Sequence, residues 1–418
     1  MNKAPEREAT RRLVLPITYE VYEKMMDDPA QANACIVQQF ADHPELFPPE
    51  MAAGYKLHGW TAPSKKMNGK QFRRIRLKEG KRWAYTLMPC DILPYLTGTV
   101  SAVEKALFLK TFGVPDWALT YVFGRNDSYW YRLQQSLGRN NLVGTTVKDA
   151  DAIPTDLLAD EKHGKAHGTK WYIATTVAQD CVLGAAVTTA ADTVQLEEGY
   201  GIFKQEAQQV NPDYQPHTVN TDGWAATHSA WQLLFPNITI ILCFLHAFIK
   251  IRSRCKGVGE LYDQLKHQIW AIYHATDRIL FKAEVGCLQQ WVLTHRDKLT
   301  TYTIEAINKL CQRADQFCLA FDHPHAYRTS NMLDRHMEPM ARWLFNGRYF
   351  HGNRLSADLR IRGWALLHNY RPYCPRAKIS QTFQSPAHKL NRTIYRDNWL
   401  ENLLVSTSGQ GFQHRHRK

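Results

Sequence analysis

The order of secondary-structure elements between residues 156 and 246 constrains the fold of this chain most strongly. Three strand-like segments, DLLADEKHGK, TKWYIATTVAQD and CVLGAAVTT, are separated by His167-Gly168 and Gln179-Asp180, which favour hairpin turns. A helix, a strand, a helix and a last strand follow, and the last strand contains a nearly continuous apolar run at residues 238–242. Such a run is typical of a strand buried between helices. We therefore predict an α/β fold with a mixed sheet.

The composition excludes several other classes of protein. The 418 residues are 44% hydrophobic and 11% aromatic, which is too apolar for a disordered chain. The sequence has no apolar run of about 18 residues, the length that spans a membrane, and its first residues do not resemble a secretion signal. The nine cysteines form no C-x-x-C pair, which favours reduced thiols. We expect a soluble intracellular protein of two or three domains.

Charge is distributed unevenly along the chain, whose formal net charge is +13. Residues 61–82 carry nine Lys and Arg against one Glu, residues 151–250 eleven acids against five Lys, and residues 335–376 eight Arg against two acids. This pattern predicts a protein that binds a polyanion, most plausibly nucleic acid, and has an acidic pocket for metal cations. Ordinary solvated surface charge is the alternative. The candidate DNA contacts are Lys65, Lys66, Arg73, Arg74, Arg76, Arg342, Arg348, His351 and Arg354.

Residues 101–137 have the apolar spacing of three short helices, with a tight Gly-Val-Pro turn at residues 113–115. Two short helices joined by such a turn and followed by a polar helix are typical of a helix-turn-helix DNA-binding unit. An ordinary three-helix scaffold gives the same pattern and is the alternative. On the DNA-binding interpretation four side chains face a groove: Ser128, Tyr129, Arg132 and Gln135.

Two aspartates lie on strands that we expect to be neighbours. Asp160 lies within the first strand and Asp222 ends the fourth. Two carboxylates at one end of a sheet repel each other unless a cation lies between them, so the pair predicts hard divalent ions with oxygen ligands. Two such ions can activate an attacking oxygen and stabilise the leaving 3′ oxygen of a phosphodiester. The alternative is that Asp222 caps the next helix and Asp160 is a surface acid.

A third acid is needed to complete this metal site. Asp334 is the first choice, because Ser330 or Asn331 can cap a helix whose first turn then contains Asp334. Glu338 lies four residues further along the same helix face and is the competing candidate. Glu161 follows Asp160 directly and is expected to face the opposite side of the strand.

The segments ADEKHGK, TDGW, CFLH and RTSNMLDR resemble motifs of bacterial insertion-sequence transposases of the DDE type. The three acids are separated by 62 and 112 residues, which is similar to Mutator-like members with a helical insertion before the third acid. The resemblance covers roughly residues 100–375 and implies an RNase H-like core. It also implies a DDE transposase that cleaves transposon ends and transfers the strands to target DNA with two Mg²⁺ or Mn²⁺ ions.

The resemblance also implies roles for single residues. Asp160 and Asp222 match the first two catalytic, metal-binding acids, and Asp334 stands where the family usually has Glu. Cys243 and His246 match a C-x-x-H motif at the end of the fifth strand, with His246 near the acids and Cys243 packed below it. Simple packing of a buried cysteine is the alternative. A cysteine-protease pair is not expected in an apolar strand.

These observations together predict a modular organisation and a DNA partner. We expect double-stranded DNA as substrate, a homodimer or larger assembly on it, no membrane association, and a bacterial nucleoid location. The alternatives are a non-catalytic, domesticated transposase that binds DNA, or an RNase H-like nuclease without strand transfer. The expected units are a basic, helical DNA-binding region (1–98), a helix-turn-helix (99–150), a catalytic core in two parts (151–250 and 327–380), an all-helical insertion (251–326) and a C-terminal tail region (381–418).

Overall fold

The computed structural model describes residues 12–80, 83–255 and 259–411. It contains two mixed sheets, one of four strands and one of five, surrounded by helices. The predicted α/β class with a mixed sheet is therefore confirmed. Within these ranges, no helix combines the length and the apolar character that crossing a membrane requires.

The N-terminal region is built around the four-stranded sheet, whose order is β1-β4-β3-β2. We expected short helices up to residue 60, but residues 55–60 form a strand. The basic segment contains a second strand in which Arg73, Ile75 and Leu77 are buried and the residues between them are not. The charged residues conceal this two-residue period in the sequence, so the strand at residues 73–77 was not predicted. The elements are β1 (Arg12–Leu15), α1 (Tyr19–Met26), α2 (Pro29–Asp42), β2 (Tyr55–Trp60), β3 (Arg73–Leu77) and β4 (Ala84–Pro89).

Three short helices follow, as predicted, and a fourth connects them to the larger sheet. Asn126 caps the third helix by accepting a hydrogen bond from the backbone N–H of Tyr129. The buried face of that helix carries Trp130, Leu133 and Leu137. The four helices are α3 (Glu104–Thr111), α4 (Asp116–Phe123), α5 (Asp127–Leu137) and α6 (Leu142–Thr146).

The five-stranded sheet has the order β7-β6-β5-β8-β9. The first three strands form antiparallel hairpins, and the last two run parallel to the first. The predicted succession of three strands, helix, strand, helix and strand is confirmed. The elements are β5 (Asp156–Ala166), β6 (Thr169–Ala178), β7 (Cys181–Thr188), α7 (Thr193–Val210), β8 (Thr218–Thr221), α8 (Ala225–Leu234) and β9 (Thr239–Leu242).

A helical block follows β9, as predicted for residues 251–326. It begins earlier than expected, because β9 ends at Leu242 and a helix starts at Phe244. The apolar run continues across this boundary, and Phe244, Phe248 and Ile251 are buried at helical spacing. The helices are α9 (Phe244–Arg254), α10 (Glu260–His274), α11 (Arg278–Thr294), α12 (Thr301–Gln312) and α13 (Ala314–Cys318).

The C-terminal segment returns to the larger sheet and then to the smaller one. Residues 386–406 form two helices with buried faces, so the predicted tail region is instead part of the core up to residue 411. The hydroxyl of Ser408 accepts a hydrogen bond from the backbone N–H of Val14 at 3.0 Å, which joins this segment to β1. Residues 412–418 lie outside the described residues. The helices are α14 (Asn331–Asn346), α15 (Arg354–Tyr370), α16 (Pro386–Asn391) and α17 (Trp399–Ser406).

Helix α15 covers the outer edge of β7, which would otherwise present unpaired backbone groups. The Asn369 amide accepts from Val182 N at 2.9 Å and donates to Val182 O at 2.8 Å. The Asp358 carboxylate accepts from Val187 N at 2.6 Å, and Arg354 Nε donates to Val187 O at 2.8 Å. Side chains of α15 therefore close this side of the sheet.

The half-buried position of Asp358 predicts a pH dependence of stability. Burial is the main cause that raises its pKa from 3.8 to about 6. Folding therefore favours the protonated acid, so its contribution to stability is complete below pH 3.8 and is lost as the pH rises to about 6. We expect Asp358→Asn, which keeps the acceptor for Val187, to raise the free energy of unfolding at neutral pH by at most about 3 kcal/mol.

Denaturant unfolding at a series of pH values measures this effect. The exposed Asp263 on α10 provides the matched control, because Asp263→Asn removes a carboxylate that is already solvated. Asp263→Asn should leave the pH profile unchanged. A variant Asp358→Asn that is less stable than the wild type at neutral pH would contradict the expectation.

Candidate functional site

The three predicted acids come from three elements that meet at one end of the five-stranded sheet. Leu158 pairs with Asn220 between the parallel strands β5 and β8. Asp160 and Asp222 each lie two residues further along the chain, so they are neighbours on adjacent strands. Asp334 lies in the first turn of α14, which packs against β5.

Electrostatic coupling links these acids. Burial is the largest cause that raises the pKa of Asp160 to about 6, and the negative charges of Asp222 and Asp334 raise it further. The backbone N–H of Glu161, which donates to Asp160 Oδ1 at 2.7 Å, acts in the opposite direction. Asp160 is therefore a half-buried acid whose anion is disfavoured first by desolvation and then by the charges of Asp222 and Asp334.

Asp222 also takes part in the local turn, but it does not cap the next helix as the alternative interpretation predicted. Its Oδ1 accepts a hydrogen bond from the backbone N–H of Trp224 at 2.9 Å, just before α8 begins. Gly223 between them has φ of +88°, which a residue with a side chain rarely adopts. The turn therefore holds the carboxylate just after β8, while the N-cap position of α8 is Trp224 and carries no side-chain capping bond.

Cys243 and His246 lie beside the acids, but not in the strand where we placed them. Cys243 is the residue before α9 and His246 lies in the first turn of that helix. Hydrogen bonding to Cys243 is the largest cause that raises the pKa of His246 to about 9, and Asp160 and Asp222 add to it. Burial raises the pKa of the Cys243 thiol, but hydrogen bonds to His246 and Ser330 outweigh burial and lower it overall. A cationic imidazole therefore faces the acids.

Ser330 connects this histidine to the third acid. We expected Ser330 or Asn331 to cap α14; Ser330 is the N-cap residue, but its side chain makes no capping bond. Its hydroxyl donates to Asp334 Oδ2 at 3.0 Å and lies 3.4 Å from His246 Nδ1, and its backbone N–H donates to the Cys243 sulfur at 3.2 Å. Ser330 therefore positions Asp334.

The two competing third acids have different surroundings. Asp334 is half-buried and bonded to Ser330, whereas Glu338 is exposed and forms an ion pair with Arg342 on the same helix. Asp334 therefore faces the other acids, and Glu338 faces solvent. Arg342, one of the predicted DNA contacts, is therefore engaged in an ion pair with Glu338.

Glu161 faces the opposite side of the sheet, as predicted. It is buried and accepts hydrogen bonds from the hydroxyls of Tyr200 at 2.7 Å and Thr227 at 2.8 Å. Burial is the main cause that raises its pKa to about 7. Glu161 therefore belongs to the packing of α7 and α8 against the sheet.

The three carboxylates are the kind of ligand that a hard divalent cation prefers, but they do not surround a single metal position. Among the described residues, no group of three or more His, Cys, Asp or Glu side chains is arranged to hold a metal ion. Mg²⁺ is commonly held by only one or two carboxylates, with waters and substrate phosphates as its other ligands. A cation would also remove the repulsion that raises the pKa of Asp160. Asp160, Asp222 and Asp334 are thus suited to bind Mg²⁺ or Mn²⁺ together with a phosphate.

The predicted helix-turn-helix residues line a groove with a cation from the N-terminal region. Lys66, Arg132 and Arg139 are its basic residues, and its volume is about 460 Å³. Two of the predicted contacts already have protein partners, because Tyr129 donates to Thr97 O at 3.2 Å and Gln135 donates to Ser356 Oγ at 2.7 Å. Ser128 and Arg132 are exposed.

The other predicted N-terminal contacts divide by burial. Arg73 is only 8% exposed, and its guanidinium lies 4.9 Å from the centre of the Trp60 ring. It therefore packs in the sheet and is not available to DNA, which corrects the prediction. Arg74 is half-buried. The exposed members of this group are Lys65, Lys66 and Arg76.

The C-terminal cations also divide into two groups. Arg354 pairs with Glu198 at 2.9 Å and caps the β7 edge, so its position is explained by packing. Arg348 and His351 are exposed and line a second cavity, of about 420 Å³, together with Lys110 and Arg360. Of the predicted C-terminal DNA contacts, Arg348 and His351 therefore remain open to a phosphate.

Sequence analysis missed two residues beside the acids. A ring nitrogen of His228 on α8 lies 2.9 Å from the Thr221 hydroxyl. Burial is the largest cause that lowers the pKa of His228; the charge of Arg313 lowers it further and the charge of Asp222 raises it. Arg313 precedes α13 and lies so close to Gly223 that a Cβ there would be 3.0 Å from its Nη1. The sequence carries no signal for Arg313, because only the folded helical block brings it to Asp222.

Comparison with known proteins adds no assignment. No protein-family model matches the chain, and the search of curated proteins gives no significant match.

Proposed function

We propose that this protein is a DDE-type DNA transposase with three aspartates, which cleaves the ends of a mobile element and joins them to target DNA. The observation that supports it most is the meeting of Asp160, Asp222 and Asp334 from β5, the end of β8 and α14. One of these acids, Asp160, is half-buried, and the charges of the other two raise its pKa.

The topology supports an RNase H-like core. Three antiparallel strands followed by two parallel ones, in the order β7-β6-β5-β8-β9, put the first strand at the centre of the sheet. That arrangement brings the first acid beside the second, and the helical block between β9 and α14 accounts for the long separation to the third. The resemblance of ADEKHGK, TDGW and RTSNMLDR to transposase motifs falls on these same elements.

The three acids would hold two Mg²⁺ or Mn²⁺ ions, which activate the attacking oxygen and stabilise the leaving 3′ oxygen when bound. The chain itself supplies placement. Ser330 orients Asp334, the turn at Gly223 holds Asp222, and His246 contributes a positive charge beside the acids. The groove at Lys66 and Arg132 supports a duplex-binding role for the N-terminal and helix-turn-helix regions.

A strand-transfer assay tests the proposal. The purified protein is incubated with Mg²⁺, a plasmid carrying the DNA that flanks its coding sequence, and a second plasmid as target. Joined products support a transposase, and we expect them from a dimer or larger assembly, because two ends must be processed together. Cleavage without joining would indicate a nuclease. Binding without cleavage would indicate a DNA-binding protein, an alternative that Asp in place of the usual third Glu favours.

Because the proposal also places the protein on the DNA of a bacterial cell, short inverted repeats and a target duplication should flank the coding sequence.

Ser330→Ala tests the positioning of the third acid. Loss of the hydroxyl removes the hydrogen bond to Asp334 Oδ2, and we expect metal-dependent cleavage to fall about 10–100-fold. The half-saturating Mn²⁺ concentration should rise, and DNA affinity should be unchanged. Titration of cleavage with Mn²⁺ measures both effects.

The exposed Ser101 is the matched control, because Ser101→Ala removes a hydroxyl far along the chain from the acids. It should behave like the wild type. An unchanged Mn²⁺ requirement in Ser330→Ala would show that Ser330 does not position a metal-binding acid.

A further inference from the structure

A cavity opens directly beside Asp222. Its volume is about 600 Å³, and it lies between the end of β8, helix α9 and helices α12 and α13 of the helical block. A cavity of this size suits a nucleotide-sized group, since ligand pockets range over about 300–1,000 Å³. A duplex is too wide to enter it.

Four cations line this cavity. Lys250 and Arg254 come from α9, and Lys309 and Arg313 come from the opposite wall. All four side chains are exposed. The acids of the lining are Asp222 and Glu305, so cations outnumber acids two to one.

Among the described residues, none of these four cations has an ion-pair partner. On the outer side of the same helical block, by contrast, Arg278 pairs with Asp322 and Lys282 pairs with Asp315. Unpaired cations concentrated in a cavity favour an anionic occupant.

An aromatic side chain completes the lining. Tyr302 is 65% exposed, and the Arg254 guanidinium lies 5.5 Å from the centre of its ring. Exposed aromatic rings beside cations are the usual means of holding unpaired bases, because the ring stacks on the base while the cations contact the phosphates.

We propose that this cavity binds an unpaired nucleotide of the DNA strand that continues past the cleavage point. Its phosphate contacts the cations of α9 and of the α12–α13 wall, and its base stacks on Tyr302. Arg313 lies against Gly223 and so holds the strand next to Asp222. This inference rests on the proposed function, because it takes the acids as the cleavage site.

Salt dependence of binding tests the site without requiring cleavage. The probe is a short fluorescent oligo(dT), measured by anisotropy in EDTA over a range of NaCl concentrations. For Lys309→Gln/Arg313→Gln we expect the slope of log K against log salt to fall by at most about 0.7, because the cavity holds one phosphate and each phosphate contact of a single strand contributes about 0.7. Lys250→Gln/Arg254→Gln on the opposite wall should give a similar loss. Tyr302→Ala should weaken binding about tenfold and leave the slope unchanged.

The matched control is Arg296→Gln/Lys298→Gln, which removes two exposed cations of the same helical block outside the cavity. It should keep the wild-type slope. A blunt duplex should show no slope change in any cavity variant.

The inference is overturned if cavity and control variants give equal slopes, or if the slope for the duplex falls as much as the slope for oligo(dT). A wild-type protein that does not cleave but shows the expected slopes would remove the transposase proposal and leave the single-strand site, whereas cleavage with unchanged slopes would remove only the site.

Discussion

Asp222→Ala is expected to abolish metal-dependent DNA cleavage and to leave DNA binding intact. Asp222 directly follows β8 beside Asp160, and its charge acts on that half-buried acid. If one metal-binding carboxylate contributes about 4 kcal/mol of charge stabilisation in the transition state, its loss slows cleavage about 10³-fold. A gel assay of strand cleavage in Mg²⁺, with anisotropy on the same DNA, measures both properties.

Two further variants separate charge from local structure. Asp222→Asn keeps an oxygen that can accept from Trp224 N and removes only the negative charge, so it should be as inactive as Asp222→Ala. Asp263→Ala, an exposed acid on α10, should cleave at the wild-type rate. Normal cleavage by Asp222→Asn would exclude a metal-binding role for this residue.

Glu206→Ala is expected to produce the largest loss of stability. Glu206 on α7 forms a buried ion pair with Arg362 on α15, and its other oxygen accepts from Leu142 N at 2.8 Å. Arg362 also donates to Gly138 O at 3.0 Å and to Asn140 O at 2.7 Å. Removing the carboxylate leaves a buried guanidinium without its counter-charge, which typically costs about 3–5 kcal/mol. Denaturant unfolding followed by circular dichroism measures the loss.

The same two helices provide the control. Glu198 and Arg354 form a second pair eight residues earlier on both α7 and α15, but Glu198 is about half exposed. Glu198→Ala should therefore cost no more than about 1 kcal/mol. Similar losses in the two variants would show that burial of the first pair does not determine its contribution.

Local patterns made much of the larger sheet predictable. The three segments from DLLADEKHGK to CVLGAAVTT are separated by turn residues, and all three are strands. The boundary after β9 was less predictable. A run of apolar residues satisfies both a buried strand and the first turn of a buried helix, so Cys243 and His246 were placed in the wrong element.

The N-terminal and C-terminal regions show where local patterns are insufficient. The strand RRIRL was concealed because its charged residues dominate its composition. Arg73 is buried there, with its guanidinium 4.9 Å from the centre of the ring of Trp60 on the neighbouring strand β2. Helix α17 was taken for a tail, although its buried face packs against α15 and β1, which precede it by tens to hundreds of residues.

By itself, the sequence determined the α/β class, the strand and helix order of the larger sheet, and the acids Asp160, Asp222 and Asp334 as candidate metal ligands. Periodicity and residue chemistry are local properties, so one chain is enough to reveal them. Only the tertiary structure decided that Asp334 and not Glu338 faces the other acids, that Ser330 orients it, and that Arg313 lies beside Asp222. These relations depend on how elements separated by about a hundred residues pack. Such packing is determined by the whole core, so it cannot be predicted from the residues of a short segment.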